Sequence, residues 1–215
     1  MADLKKTLEA LAQNGITGEI VSSRSEVIEA IEKRLAPGNL IASGGSMTLK
    51  ECGVIDFVKE GPYQYLDRAK PGLTPDEIEG IYRKAFSADV YLMSSNAITE
   101  RGELYNVDGN SNRVAALLYG PKQVIIVAGQ NKVVSNIEDA FRRVKTTAAP
   151  PNCVRLDCNT YCQTQGSCVS LNDENAFVCD GCRSDARICC NYVISAKQRK
   201  PGRIHVILVE ESLGY

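Results

Sequence analysis

Apolar positions along the chain recur at two spacings, and each switch between them marks an element. Leu4, Leu8 and Leu11 lie at helical spacing until Asn14-Gly15 breaks the pattern. Val27, Ile28, Ile31 and Leu35 form the stripe of a second helix, with Ser25 as its cap and Ala36-Pro37-Gly38 as its end. Residues 39–43 are a short apolar run that meets Gly44-Gly45-Ser46 and then a helical pattern to Cys52, which reads as strand, glycine turn, helix. Residues 63–66 form a second strand. Thr74-Pro75-Asp76-Glu77 opens a helix: the threonine caps it, the proline has no N–H to lose in the first turn, and the glutamate closes a capping box. Ile78, Ile81, Tyr82 and Ala85 give its buried face, and residues 89–93 are the strand that follows.

Beyond this point residues 97–107 alternate around Arg101-Gly102 as a hairpin, and residues 110–118 return to helix. Residues 122–128 are almost continuously apolar, as expected of a parallel strand covered on both faces. Ser135-Asn136-Ile137-Glu138 is another capping box, opening a helix to about Thr147 that Ala148-Ala149-Pro150-Pro151 stops. Residues 203–210 close the chain as one more buried strand. This alternation predicts an α/β fold, a three-layer, mostly parallel open sheet with helices on both faces. It divides the chain into an N-terminal helical segment (1–38), an α/β core (39–150), a cysteine-rich excursion (151–192) and a final core strand (193–215).

Composition narrows the function. Among 215 residues, 25 Lys and Arg balance 26 Asp and Glu, so no global basic field exists to attract nucleic acid. The N-terminus never reaches the apolar run of a signal peptide, and no stretch approaches the roughly 18 apolar residues of a membrane span, so a cytoplasmic protein away from the membrane is expected. Eight of the nine cysteines fall between Cys153 and Cys190. In a reducing compartment such a cluster holds a metal or does redox chemistry rather than forming structural disulfides. With a single histidine, His205, placed on an alternating strand as a structural residue, the ligands are thiolates. Cys52, on an apolar helix, reads as a small buried residue.

Three stretches at strand ends carry candidate chemistry. Gly44-Gly45-Ser46 and Thr48 open a helix, where backbone N–H groups and the helix dipole favour an anion, although a tight turn capped by Ser46 explains the same residues. The hairpin and its sequel, residues 96–113, place Glu103 as a nucleophile or general base, with Asp108 beside it and Arg113 as an anion clamp; Asn112 belongs to the same stretch. Asn106, Asp108 and Gly109 also suit a plain turn. Lys132, after the apolar strand, adds positive charge to the same crevice or lies on the surface. Glu103, Asp108 and Arg113 are thus the candidate catalytic residues, and Gly44, Gly45, Ser46, Thr48, Asn112 and Lys132 the candidate binding residues, for a small anionic ligand or nucleotide.

Taken in order, Gly44-Gly45-Ser-Met-Thr48-Leu, Ala97-Ile-Thr-Glu100-x-Gly102-Glu103-Leu, Asn106-Val-Asp108-Gly109-x-x-Asn112-Arg113-Val, Tyr119-Gly120-Pro121-Lys122, Gly129-x-Asn131-Lys132 and Leu213-Gly214-Tyr215 resemble the lactate-utilisation (LUD) domain family. The resemblance runs from about Leu40 onward. It implies a fold like that of sugar-phosphate isomerases, coenzyme A transferases and formyltetrahydrofolate cyclo-ligase, and a role associated with oxidation of lactate to pyruvate alongside an iron-sulfur partner. Thr160-x-Cys162, Gly166-x-Cys168 and Cys182-x-Ser184-x-x-Arg187-Ile188-Cys189 resemble the cysteine tail of single-domain members, which implies Cys162, Cys168, Cys182 and Cys189 as metal ligands. Residues 169–181 lengthen that tail and add Cys179, whose spacing to Cys182 is that of a zinc knuckle.

Zinc suits a loop too poor in apolar residues to hold itself together, and a [4Fe-4S] cluster suits the redox context of the resemblance. A thiol-disulfide switch using Cys189 and Cys190 is a third reading. The chain is then either an enzyme, or enzyme subunit, acting on a small anion, or a metal-bearing electron-transfer module that docks a partner. Homo-oligomerisation is left open.

Overall fold

In the computed structural model, which describes residues 3–215, the apolar runs of the chain become the middle of a parallel sheet. The strands are β1 (Thr17–Val21), β2 (Leu40–Ser43), β3 (Gln64–Tyr65), β4 (Val90–Met93), β5 (Ala97–Thr99), β6 (Leu104–Asp108), β7 (Gln123–Gly129), β8 (Val133–Val134), β9 (Asn191–Ser195) and β10 (Ile204–Val209). Six of them form one sheet in the order β1-β10-β7-β4-β2-β3, every pairing parallel. Successive side chains of a strand point to opposite faces. Accordingly Val124, Ile126 and Ala128 of β7 enter one apolar cluster with Leu11, Leu117 and Val206, while Ile125 and Val127 enter another with Ile31, Leu49, Val58 and Ile207. Two cores on two faces explain why these runs read as continuously apolar.

Helices α1 (Leu4–Gln13), α2 (Val27–Glu32), α3 (Met47–Glu51), α4 (Val54–Glu60), α5 (Pro75–Ala85), α6 (Asn112–Leu118), α7 (Ile137–Arg143), α8 (Ala149–Arg155) and α9 (Tyr161–Gln165) complete the chain. The three-layer α/β architecture is the one the pattern predicts, and the Thr74–Glu77 capping box forms with both reciprocal bonds. The segment before β2 reads as two helices around a short extended piece, and that piece is β1, which pairs with β10. Three readings change. The cap of α7 is Asn136, whose Oδ1 accepts from Asp139 N at 2.9 Å, rather than Ser135. A short 3-10 turn, Arg24–Glu26, leads into α2, and the Ser25 hydroxyl pairs with Ser23 instead of capping the helix.

Third, the helix at 137 does not stop at Pro150-Pro151. A π-helical turn, Val144–Ala148, joins α7 to α8 and puts both prolines in the first turn of α8, where a missing N–H costs nothing. A second sheet, β8-β5-β6-β9, is built from the predicted hairpin, the two residues after Lys132 and a strand that follows the cysteines. It packs Ala97, Tyr105 and Val107 against Ala140 and Val144 of the long helix. The cysteine excursion is therefore bounded by this helix and by β9.

Candidate functional site

Carboxyl ends of parallel strands are where α/β sheets bind ligands, and here three strands deliver polar turns to one place. After β2 come Gly44-Gly45-Ser46, after β4 come Ser94-Ser95-Asn96, and after β7 a 3-10 turn, Gln130–Lys132, carries the lysine in. The helix running past the prolines supplies Asn152 and Arg155, and α6 supplies Arg113. Together with Tyr215 these residues enclose a polar crevice of about 90 Å³. One water needs only about 10–15 Å³ on this measure, so several small groups fit. The crevice opens into a wider cleft of about 620 Å³ that adds Arg68, Tyr82, Asp108, Asn112 and Arg187.

Arg113 is held from three sides. It donates to Asn106 Oδ1 (2.6 Å), Val107 O (2.7 Å) and Asn96 Oδ1 (3.2 Å), and its Nε stands 3.4 Å from Asp108 Oδ2. Such a saturated guanidinium is oriented in advance. Lys132 is 4% exposed, and its ammonium donates to Thr48 Oγ1 (2.8 Å) and Ser94 Oγ (3.1 Å). Burial pulls its pKa down to about 7, with the positive charge of Arg143 adding to the effect. Arg143 donates to Asn96 O (2.6 Å) and Asn131 O (2.9 Å); burial lowers its pKa to about 10. Its Nη2 is buried without a hydrogen-bond partner among the described residues. Three basic side chains, Arg113, Lys132 and Arg155, thus line a crevice with no Asp or Glu side chain in its wall.

The structure sorts the candidates. Gly45, Ser46, Arg113 and Lys132 line the crevice, and Asp108 and Asn112 line the wider cleft. A Cβ on Gly44 would stand 2.8 Å from Arg113 Cδ and one on Gly45 2.7 Å from Arg68 Nη2, so these glycines make room for guanidinium groups. Ser46 caps α3 through Leu49 N, and that helix is a single turn. Thr48 reaches the site only through Lys132. Asp108 Oδ1 accepts from the N–H groups of Asn110 (3.1 Å) and Ser111 (3.0 Å), which makes it the former of a tight turn and the partner of Arg113 rather than a free base.

Glu103 is not brought to the site. It stands at the far end of the hairpin, about 17 Å along β6 from Asp108 at 3.4 Å per residue, where it accepts from the Thr99 hydroxyl. That hairpin tip packs on α1: Glu100 pairs with Lys6 at 2.7 Å, and Gly102 lies against Ala10 and Leu11. Sequence reasoning missed Ser94 and Ser95, although polar residues ending a buried strand are a readable signal. Arg68 and Arg155 gave none. His205 sits as expected, between Thr17 Oγ1 (2.9 Å) and Glu19 Oε1 (3.0 Å).

A second cavity lies among the cysteines. Cys162, Cys168, Cys182 and Cys189 face it together, with Val144, Ala149, Val169, Tyr161 and Tyr192 as apolar wall. Cys179 is exposed and outside it. Two cations flank the cavity. Lys145 bonds Ser170 Oγ and Asp180 O, and Arg187 donates to Cys189 Sγ (3.2 Å) and to the carbonyls of Cys179, Cys182 and Cys189. Cys153 is buried with its Sγ 3.6 Å from that of Cys162, and burial raises its pKa to about 12. Among the described residues no three Cys, His, Asp or Glu side chains stand close enough to hold a single ion.

Among the described residues no helix is long and apolar enough to cross a membrane. No curated protein matches the chain. The solved structure of a DUF162 family protein from Deinococcus radiodurans is similar at 15% identity and a TM-score of 0.51, over 96% of this chain and 95% of that one, a likeness of fold. The structure of eIF2B beta from Chaetomium thermophilum matches at 12% identity and a TM-score of 0.39, over 56% of this chain and 42% of that one. The model of the LUD domain matches residues 4–209, nearly the whole described chain, and with the motifs and fold above it places this protein in the LUD domain family, which is associated with lactate utilisation.

Proposed function

We propose that the protein serves lactate utilisation by binding a small organic anion in the crevice at the strand carboxyl ends. The observation that carries this reading is the imbalance of side-chain charge: Arg113, Lys132 and Arg155 face one small crevice whose wall holds no Asp or Glu side chain. Arg113 is already paired with Asp108 and Arg155 is exposed, but Lys132 is buried with only hydroxyls as hydrogen-bond partners, and an anion of a few heavy atoms would give the group a counter-charge. Calorimetric titration with oxalate tests it. One saturable site per chain is expected, with affinity falling about tenfold or more in Arg155→Gln, the loss of one charge-assisted bond. Absence of saturable binding refutes the reading.

The cysteine cavity supports a second part of the proposal, a centre held by the thiolates of Cys162, Cys168, Cys182 and Cys189. An all-thiolate set facing an apolar pocket flanked by Lys145 and Arg187 fits either metal reading of the sequence. Tetrahedral zinc with Zn–S bonds near 2.3 Å needs sulfurs about 3.8 Å apart. A [4Fe-4S] cluster spreads its ligands over four irons and takes a wider set, and it is the reading that the family's association with lactate utilisation favours. Such a centre supplies one-electron chemistry when bound, and the residues of this chain hold it and offset its negative charge. Protein purified without oxygen is expected to carry iron and labile sulfide in equal amounts, lost in Cys182→Ala; a colourless protein with one zinc contradicts the cluster.

A further inference from the structure

Lys132 is unlike the other cations of the crevice. It is nine-tenths buried, its two hydrogen-bond partners are the hydroxyls of Thr48 and Ser94 rather than carboxylates, and it faces a space that Arg113 and Arg155 also line. An amine kept from water, beside guanidinium groups and with no carboxylate among its hydrogen-bond partners, is held toward the state in which its lone pair attacks carbon. The guanidinium groups would fix the anionic end of a bound molecule while the amine meets its neighbouring carbon.

We propose that Lys132 forms an imine with the carbonyl carbon of a small oxo acid, one whose carbonyl adjoins its carboxylate, seated in the crevice against Arg113 and Arg155. This rests on the anion-binding reading above and adds a covalent step to it. The unprotonated amine adds to the carbonyl carbon and a C–N bond forms. The carbonyl oxygen takes up the proton that nitrogen releases, relayed by the Ser94 hydroxyl 3.1 Å from Nζ. The resulting carbinolamine loses its oxygen as water, and the imine remains; nothing is oxidised or reduced. Burial supports the step by bringing the lysine to a pKa of about 7, with Arg143 and Arg113 acting in the same direction and Glu51 and Cys52 against it. The crevice has room for a three-carbon acid, and its polar wall of Ser46, Ser94, Ser95, Asn96 and Asn152 suits the departing water.

Trapping tests the proposal. The whole protein is incubated with pyruvate and cyanoborohydride, which reduces an imine to a stable amine, and the product is read by intact mass and peptide mapping. One adduct per chain is expected, heavier than the protein by one pyruvate less an oxygen atom, mapped to Lys132. It should vanish in Lys132→Met and Lys132→Arg, and excess oxalate, which has the carboxylates but no ketone, should suppress it about tenfold or more. A melting curve confirms that each variant is folded. Oxalate calorimetry on the untreated protein separates the two readings. Oxalate binding without an adduct overturns the imine and leaves the anion site standing; neither binding nor adduct overturns both. An adduct spread over surface lysines and unchanged in Lys132→Met also overturns the imine.

Discussion

Between its ordinary pKa of 10.5 and its folded value of about 7, Lys132 is protonated in the unfolded chain and largely neutral in the folded one. Across that window the unfolded state binds the extra proton, so folding stability gained at Lys132 rises with pH, and the cost of the buried amine is greatest below about pH 7. Lys132→Met removes this cost. The variant is expected to be more stable than the parent by a few kcal/mol at about pH 6, with the gain shrinking toward pH 10, read from denaturant midpoints at each pH. A variant less stable at pH 6 would mean that the charge is compensated within the fold. Glu103 predicts the opposite kind of result: because it sits at the hairpin tip, Glu103→Gln should leave oxalate affinity within about twofold and cost about 1 kcal/mol of stability through its bond to Thr99. Both residues were readable as polar groups near strand ends. What distinguished them was which end, and that depends on where the hairpin docks, against Ala10 and Leu11 nearly a hundred residues away.

At the scale of elements, local rules governed most of what formed. The Thr74 box, the Ser46 cap and the apolar β7 followed from neighbours in sequence. The long helix did not, because Pro150-Pro151 is a stop signal unless a π turn re-registers the chain just before it, and tertiary packing of Val144 and Lys145 decides that. The continuation matters for both cavities: α8 presents Asn152 and Arg155 to the crevice and Cys153 to the cysteines. The cysteine loop is closed chiefly by Arg187, which gathers three carbonyls, one thiol and the Tyr192 hydroxyl. Arg187→Ala is expected to speed labelling of Cys182 and Cys189 by a thiol reagent roughly tenfold, the weight of one hydrogen bond to a charged group, without lowering the unfolding midpoint of the main sheet by a comparable amount. Unchanged labelling rates would show that the loop is closed by its apolar wall instead.

Over the whole molecule, the alternation of elements revealed the parallel sheet and its ligand-binding end, since both follow from periodicity and handedness alone. The second sheet was legible only as its β5-β6 hairpin, because β8 has two residues and β9 follows a cysteine-rich loop whose polar pattern hides it. That sheet carries Asn106 and Asp108 to Arg113 and so sets one wall of the crevice. Distant segments thus converge to leave Arg113, Lys132 and Arg155 facing a space with no Asp or Glu side chain. Titration of the protein with oxalate in a calorimeter addresses this most directly, comparing the parent with Arg155→Gln and Lys132→Met at neutral pH. One site per chain, weakened about tenfold or more by each substitution, is the predicted result. No saturable heat, or affinity indifferent to both substitutions, would contradict it.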